Sequence, residues 1–268
     1  MLIDGKQIAA DLYGRLRQQV QALPVQPVLC DIVVGEDPVQ QQFVRVKARR
    51  AAEVGMVFRV MSLPADASET AIKAAVLRAA DSEADGVIVQ LPLPAGISTE
   101  AVLACIPSAK DVDGLVPGSV HVPPTARAVV HMLDSLGQNL TGLHFVVVGQ
   151  GRLVGKPVTQ LLQARKYTVA VVDATTPDIA EVTRSADVLI SAVGRPGLIA
   201  TAMVKPGAII IDAGTSESGG SVVGDVASEA LGQAAFATPV PGGVGPVTVA
   251  MLFANVLRAA EAVVDKED

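Results

Sequence analysis

The stretch PVQQQFVRVKARR, residues 38–50, sets Phe43 four residues before Lys47. Four residues is slightly more than one helical turn, so a ring and an ammonium group at that spacing share a helix face. Two chemistries are open to such a pair. Either the ring packs into a core while the lysine snorkels to water, or the ring is a platform for a planar ligand with a proton-handling lysine behind it. Taken alone, the pair reads as the first. For the second, a lysine with an unperturbed pKa of about 10.4 must be brought toward neutrality by an apolar surrounding and neighbouring dipoles.

A second constellation is VVVGQGRLVGKP, in which Gly149, Gly151 and Gly155 follow an apolar strand run and open a helix, with Gln150, Arg152 and Val154 between them. Small residues there let backbone N–H groups approach a pyrophosphate and aim a helix N-terminus at it. The spacing is GxGxxxG rather than GxGxxG, so context carries the weight. The next strand run ends in Asp173, 24 residues beyond Gly149, about where an acid accepts hydrogen bonds from an adenosine ribose. A carboxylate there repels a 2′-phosphate and leans to NAD; Arg152 could receive that phosphate and leans to NADP. Ala192 and Gly194 in SAVGRPG, with Asp212, Gly214 and Thr215 in IDAGT, fall where turns after strands line a nucleotide.

The elements that must position these residues alternate in type. Ile8, Leu12, Leu16, Val20 and Leu23 recur at helical spacing and end at Pro24. PVLCDIVVG, a helix over about 38–54, VFRVMSL, a helix over about 68–81 and DGVIVQ follow. That is βαβ grammar and implies a parallel sheet. A second alternating block runs from a helix near 125–136 through LHFVVVG, YTVAVVDA, ADVLISAVG and GAIIIDAG. The fold class is therefore α/β with two domains. The first spans residues 1–118 and is completed by an amphipathic C-terminal helix, 246–268; a Rossmann-like domain spans 119–245, with the boundary where Gly and Pro cluster near 114–124.

Composition narrows the partners. With 50% hydrophobic residues, 3% aromatics and no Trp among 268 residues, the cores are built from Val, Ala, Leu and Ile. A net charge of −6 supplies no basic stripe for nucleic acid. Cys30 and Cys105 lie in apolar segments without a ligand at metal spacing, which predicts buried free thiols, no metal and a reducing cytoplasm. Asp4, Lys6 and Asp11 interrupt the N-terminal segment as a signal peptide, and no uninterrupted apolar run approaches a membrane span.

Three further stretches, DGVIVQLPLP at 85–94, KDVDG at 110–114 and TPVPGGVGPVTVAML at 238–252, join the glycine loop GRLVGKP. Together they resemble the bifunctional methylenetetrahydrofolate dehydrogenase/cyclohydrolase family along nearly the whole chain. The resemblance implies an N-terminal folate domain and a Rossmann-like NAD(P) domain with folate in the cleft between them, and a homodimer. It also implies oxidation of 5,10-methylenetetrahydrofolate by hydride transfer to NADP or NAD, then hydrolysis of the methenyl product to 10-formyltetrahydrofolate. By position, Lys47 matches the family's catalytic lysine, Gln90 its glutamine partner and Asp113 the acid that holds the pterin. Pro239, Pro241, Gly242 and Gly243 match its substrate-side loop.

The chain departs from the family's pattern at several of these places. Phe43 stands where the family normally has tyrosine, so the stacking face is kept and a hydroxyl beside the lysine is lost. Gln40 replaces a usual serine, Gln150 and Gly151 replace Arg-Ser or similar, Asp173 falls where His or Ser is frequent, and the connection after DGLVPGSV is several residues short. These changes open a second reading, a divergent paralogue that binds folate or nucleotide with one or both activities lost.

Overall fold

The computed structural model describes residues 1–218 and 221–267. The chain divides into two compact units, one formed by Asp11–Pro124 with the residues from Val249 onward, the other by Met1–Ala10 with Thr125–Thr248. The first ten residues thus lie with the second unit, where sequence put them with the first. Met1 and Ile3 explain this: the Met1 amino group donates to Ala235 O, and Ile3 N donates to Ala237 O.

The first unit holds most of α1 (Gly5–Gln21), then β1 (Val28–Val34), α2 (Pro38–Val54), β2 (Val57–Leu63), α3 (Glu69–Ala80), β3 (Gly86–Val89) and α4 (Thr99–Leu103). The three strands form a parallel sheet in the order β2-β1-β3. Strand alternation splits β1 between two faces. Val28, Cys30, Ile32 and Val34 pack against Ile72, Val76 and Ala79 of α3 and against Val102 and Leu103 of α4. Leu29, Asp31 and Val33 point the other way and are buried as well. Cys30 and Cys105 are free, Cys30 buried and Cys105 only half-buried; burial and the neighbouring Asp31 push the Cys30 thiol up.

The second unit runs through α5 (Pro124–Ser135), β4 (His144–Val148), α6 (Gly155–Ala164), β5 (Thr168–Val172), α7 (Ile179–Arg184), β6 (Val188–Ser191), β7 (Ile209–Asp212), an antiparallel ribbon of β8 (Ser216–Ser218) and β9 (Ser221–Val223), and β10 (Phe236–Ala237). Its five-stranded sheet is parallel throughout, in the order β10-β7-β6-β4-β5. α8 (Val244–Glu267) closes the chain. By length and composition α8 is apolar enough to cross a bilayer, a property that a search for uninterrupted runs misses because Asn255, Arg258 and Glu261 punctuate it. Phe253, Val256 and Leu257 are nonetheless buried inside the protein.

Candidate active site

Asp37 accepts a hydrogen bond from Gln40 N at 2.9 Å and Pro38 follows it, so α2 starts at a fixed residue. From that start the helix buries Gln40, Val44, Lys47, Ala51 and Val54, a stripe at helical spacing with a lysine in its middle. Phe43 falls at the stripe's edge. The exposures are therefore the inverse of the snorkelling pattern: Phe43 is 49% exposed and Lys47 7%. Gln40 Nε2 donates to Pro92 O at 2.8 Å, tying this helix to the loop after β3.

Lys47 Nζ donates to Gln90 Oε1 at 2.8 Å and lies 2.5 Å from Asp31 Oδ2. Parallel pairing places Asp31 opposite Ile88, and Gln90, two residues on, emerges on the same face as Ile88. Two adjacent strands thus present an acid and an amide to one helix. Asp31 is wholly buried, and neither carboxylate oxygen has a hydrogen-bond partner, so the ion pair with Lys47 is what compensates its charge among the described residues. Burial pushes the Asp31 carboxyl up, and the Lys47 charge pulls it back.

The segment carrying Asp113 adds to the edge of the same sheet through Val87 N donating to Lys110 O at 2.8 Å. Lys110 Nζ reaches Ala80 O at 2.7 Å, Asp111 Oδ2 accepts from Val116 N at 2.8 Å, and Asn255 of α8 donates to Val112 O and Val122 O at 2.7 and 2.9 Å. Gly114 takes φ +66°, and a side chain there would meet His121 O at 2.6 Å. Asp113 is thereby held beside the lysine's field. Burial pushes its carboxyl up to about 7; Lys47 pulls it down, and Asp111 and Asp31 raise it further.

In the second unit Gly149 directly follows β4 and Gly155 opens α6. A Cβ on Gly155 would lie 1.9 Å from Gly149 O, whereas one on Gly151 would meet nothing within 4 Å. The loop is packed on its inner side and open above Gly151. Val154 caps α6 without a side-chain hydrogen bond; Lys156 N donates to Gly151 O at 3.2 Å and Pro157 has no N–H, which leaves Gly155 N as the first-turn donor for a ligand. Gln150 Nε2 donates to Gly149 O and Thr159 Oγ1, bracing the turn from within, and Arg152 is exposed. This cradle fits a dinucleotide phosphate. Asp173 lies just past β5, fully exposed, its Oδ1 accepting from Thr175 N and Thr175 Oγ1 at 2.8 and 2.6 Å; these bonds hold its carboxyl below the usual range.

Ala192, Gly194 and Thr215 occupy turns shaped by two buried acids. Asp225 accepts from Ser191 Oγ, Val193 N and Arg195 N at 2.7 to 2.8 Å. Asp212 accepts from Gly214 N, Asp225 N and Val226 N, and burial pushes its carboxyl up to about 6. Pro239, Pro241, Gly242 and Gly243 form the turn between β10 and α8 in this same unit, with Gly242 at φ +104°. The structure therefore brings together Lys47, Gln90 and Asp113 in one unit and the glycine-loop residues in the other. Sequence reasoning missed Asp31 and Asp225. A lone acid inside the run VLCDIVV was a signal for the first; Asp225 carried none.

The chain matches the model of the tetrahydrofolate dehydrogenase/cyclohydrolase catalytic domain over residues 3–113 and that of the same family's NAD(P)-binding domain over 123–264. It belongs to this family of two-domain folate dehydrogenase/cyclohydrolases. The bifunctional protein FolD of Exiguobacterium sibiricum is 40% identical to it, with 97% of this chain and 99% of that protein covered. A crystal structure of the bifunctional FolD methylenetetrahydrofolate dehydrogenase/cyclohydrolase from Campylobacter jejuni superposes with a TM-score of 0.94 at 33% identity, covering 98% of this chain and 99% of that one. The Trypanosoma brucei enzyme, complexed with NADP cofactor and inhibitor, gives 0.93 at 36%, with 98% of each covered. Nothing in these likenesses favours the divergent binding paralogue.

Proposed function

We propose that the protein oxidises 5,10-methylenetetrahydrofolate to the methenyl form with a nicotinamide cofactor and hydrolyses that product to 10-formyltetrahydrofolate. The observation that carries this reading is Lys47, buried on α2 between Gln90 and Asp31. Gln90 and Asp31 fix the amine, which handles the proton as water adds to the methenyl carbon. Asp113, in its ionised form, accepts paired hydrogen bonds from the pterin's amino and ring N–H donors. The exposed face of Phe43 offers a stacking surface for the folate.

When bound, the nicotinamide supplies the hydride acceptor. Gly149, Gln150, Gly151, Arg152, Val154 and Gly155 hold its phosphates, with Ala192, Gly194 and Thr215 lining the turns beyond. We propose NAD over NADP, because the ionised, exposed carboxylate of Asp173 repels a 2′-phosphate. Pro239, Pro241, Gly242 and Gly243 are the residues of the second unit that we assign to substrate binding. The same reading makes the protein a cytoplasmic homodimer, a state checked by light scattering.

The test follows the absorbance of 5,10-methenyltetrahydrofolate with wild type and Lys47→Met, alongside reduced-cofactor formation from the methylene substrate. Decay above the buffer rate that disappears with the lysine is expected. Decay by folded wild type at the buffer rate would falsify the hydrolytic half.

A further inference from the structure

Asp31 sits in the middle of a strand whose seven residues are all buried. Neither pterin binding nor hydride transfer calls for it. Burying an ion pair there is no route to stability, since desolvation offsets the attraction and an apolar pair of similar volume does as well or better. What the acid does is confined to one contact: its carboxylate has no partner besides Lys47, whose Nζ lies 2.5 Å away. An ammonium has three N–H bonds. Gln90 takes one at 2.8 Å and the carboxylate anchors a second side, so the direction of the remaining donor is set.

We propose that Asp31 is the positioning residue of the hydrolytic site: it is the counter-charge that aims and holds Lys47, a task that Phe43, having no hydroxyl, leaves to the sheet. This rests on the reading that Lys47 handles the proton in hydrolysis. The charged and titratable groups facing the pair are few. Asp113 faces both members from the segment after β3, with Asp111 behind it; Cys30 adjoins Asp31 on β1, and Arg59 stands across from Cys30 on β2.

The experiment compares wild type, Asp31→Asn and Asp31→Asn/Phe43→Tyr in the hydrolysis of 5,10-methenyltetrahydrofolate between about pH 6 and 9. Asp31→Asn is expected to lower kcat about tenfold or more with KM within about threefold. The tyrosine hydroxyl, one helical turn before the amine, restores part of the lost kcat. Where Asp31→Asn does not fold, Asp31→Val, which suits a buried strand, carries the same two readings. Variant kcat within about twofold of wild type, or a loss that falls on KM and is not restored by tyrosine, overturns the assignment. If that occurs while hydrolysis still requires Lys47, the function stands and Asp31 alone falls; if wild type does not exceed the buffer rate, both fall.

Discussion

Lys47→Met is expected to do more than stop hydrolysis. The substitution leaves Asp31 wholly buried with no hydrogen bond and no counter-charge. Stripping one partner from a buried pair is worth about 3 to 5 kcal/mol. Proton uptake sets a ceiling on the penalty, since each pH unit above the ordinary aspartate value of about 3.9 costs about 1.4 kcal/mol to keep the carboxyl neutral. The ceiling is then about 4 kcal/mol at pH 7 and about 1.5 kcal/mol at pH 5. The sign follows from burial, which raises the Asp31 pKa in the folded protein. The folded state holds its proton longer than the unfolded chain, so the destabilisation is absent below the unfolded value and grows as pH rises toward the folded one. In wild type Lys47 opposes that rise; in the variant nothing does. Urea unfolding of both proteins at the two pH values, followed by circular dichroism, reads the difference directly. A loss that is small and equal at both pH values refutes the view that Lys47 and Asp31 compensate one another.

Other outcomes follow from the site. Because the Asp113 carboxyl is pushed up to about 7, the apparent affinity for folate should rise as pH increases through about 7; Asp113→Asn should flatten that dependence and weaken binding about tenfold, measured by KM against pH. Asp173→Ser should raise NADP use relative to NAD by about tenfold, read as the ratio of kcat/KM values, and an unchanged ratio removes Asp173 from the ribose site. Gly155→Ala puts a methyl 1.9 Å from a backbone oxygen, which should loosen the cofactor loop and raise the cofactor KM about tenfold, with a stability loss of about 1 to 3 kcal/mol by urea unfolding.

The strands and helices were legible because their signals are local. VFRVMSL spans the observed β2, and the helix expected near 38–54 is α2 (Pro38–Val54). The glycine loop was legible for the same reason, a strand end and a helix start being adjacent in sequence. Asp31 was not, since its meaning depends on a partner 16 residues away in a helix whose phase is set by the Asp37 cap. Phe43 and Lys47 show the limit of spacing: it puts two residues on one face but does not say which the sheet will cover. Asp225 acts through Ser191, Val193 and Arg195, at least 30 residues earlier, a distance no motif bridges. The allegiance of Met1–Ala10 likewise rests on hydrogen bonds to Ala235 and Ala237, at the far end of the chain.

The side chain of Asn255 clasps Val112 O and Val122 O on either side of the turn after Asp113. Asp31, Phe43, Lys47, Gln90 and Asp113 come from one stretch of sequence, whereas the clasp lies in α8. The lysine and its partners are assembled by neighbouring strands and a helix, but the loop that presents the acid is fastened from an element remote in sequence. Asn255→Ala should therefore leave the Lys47–Asp31 pair assembled and the acid with no fixed address.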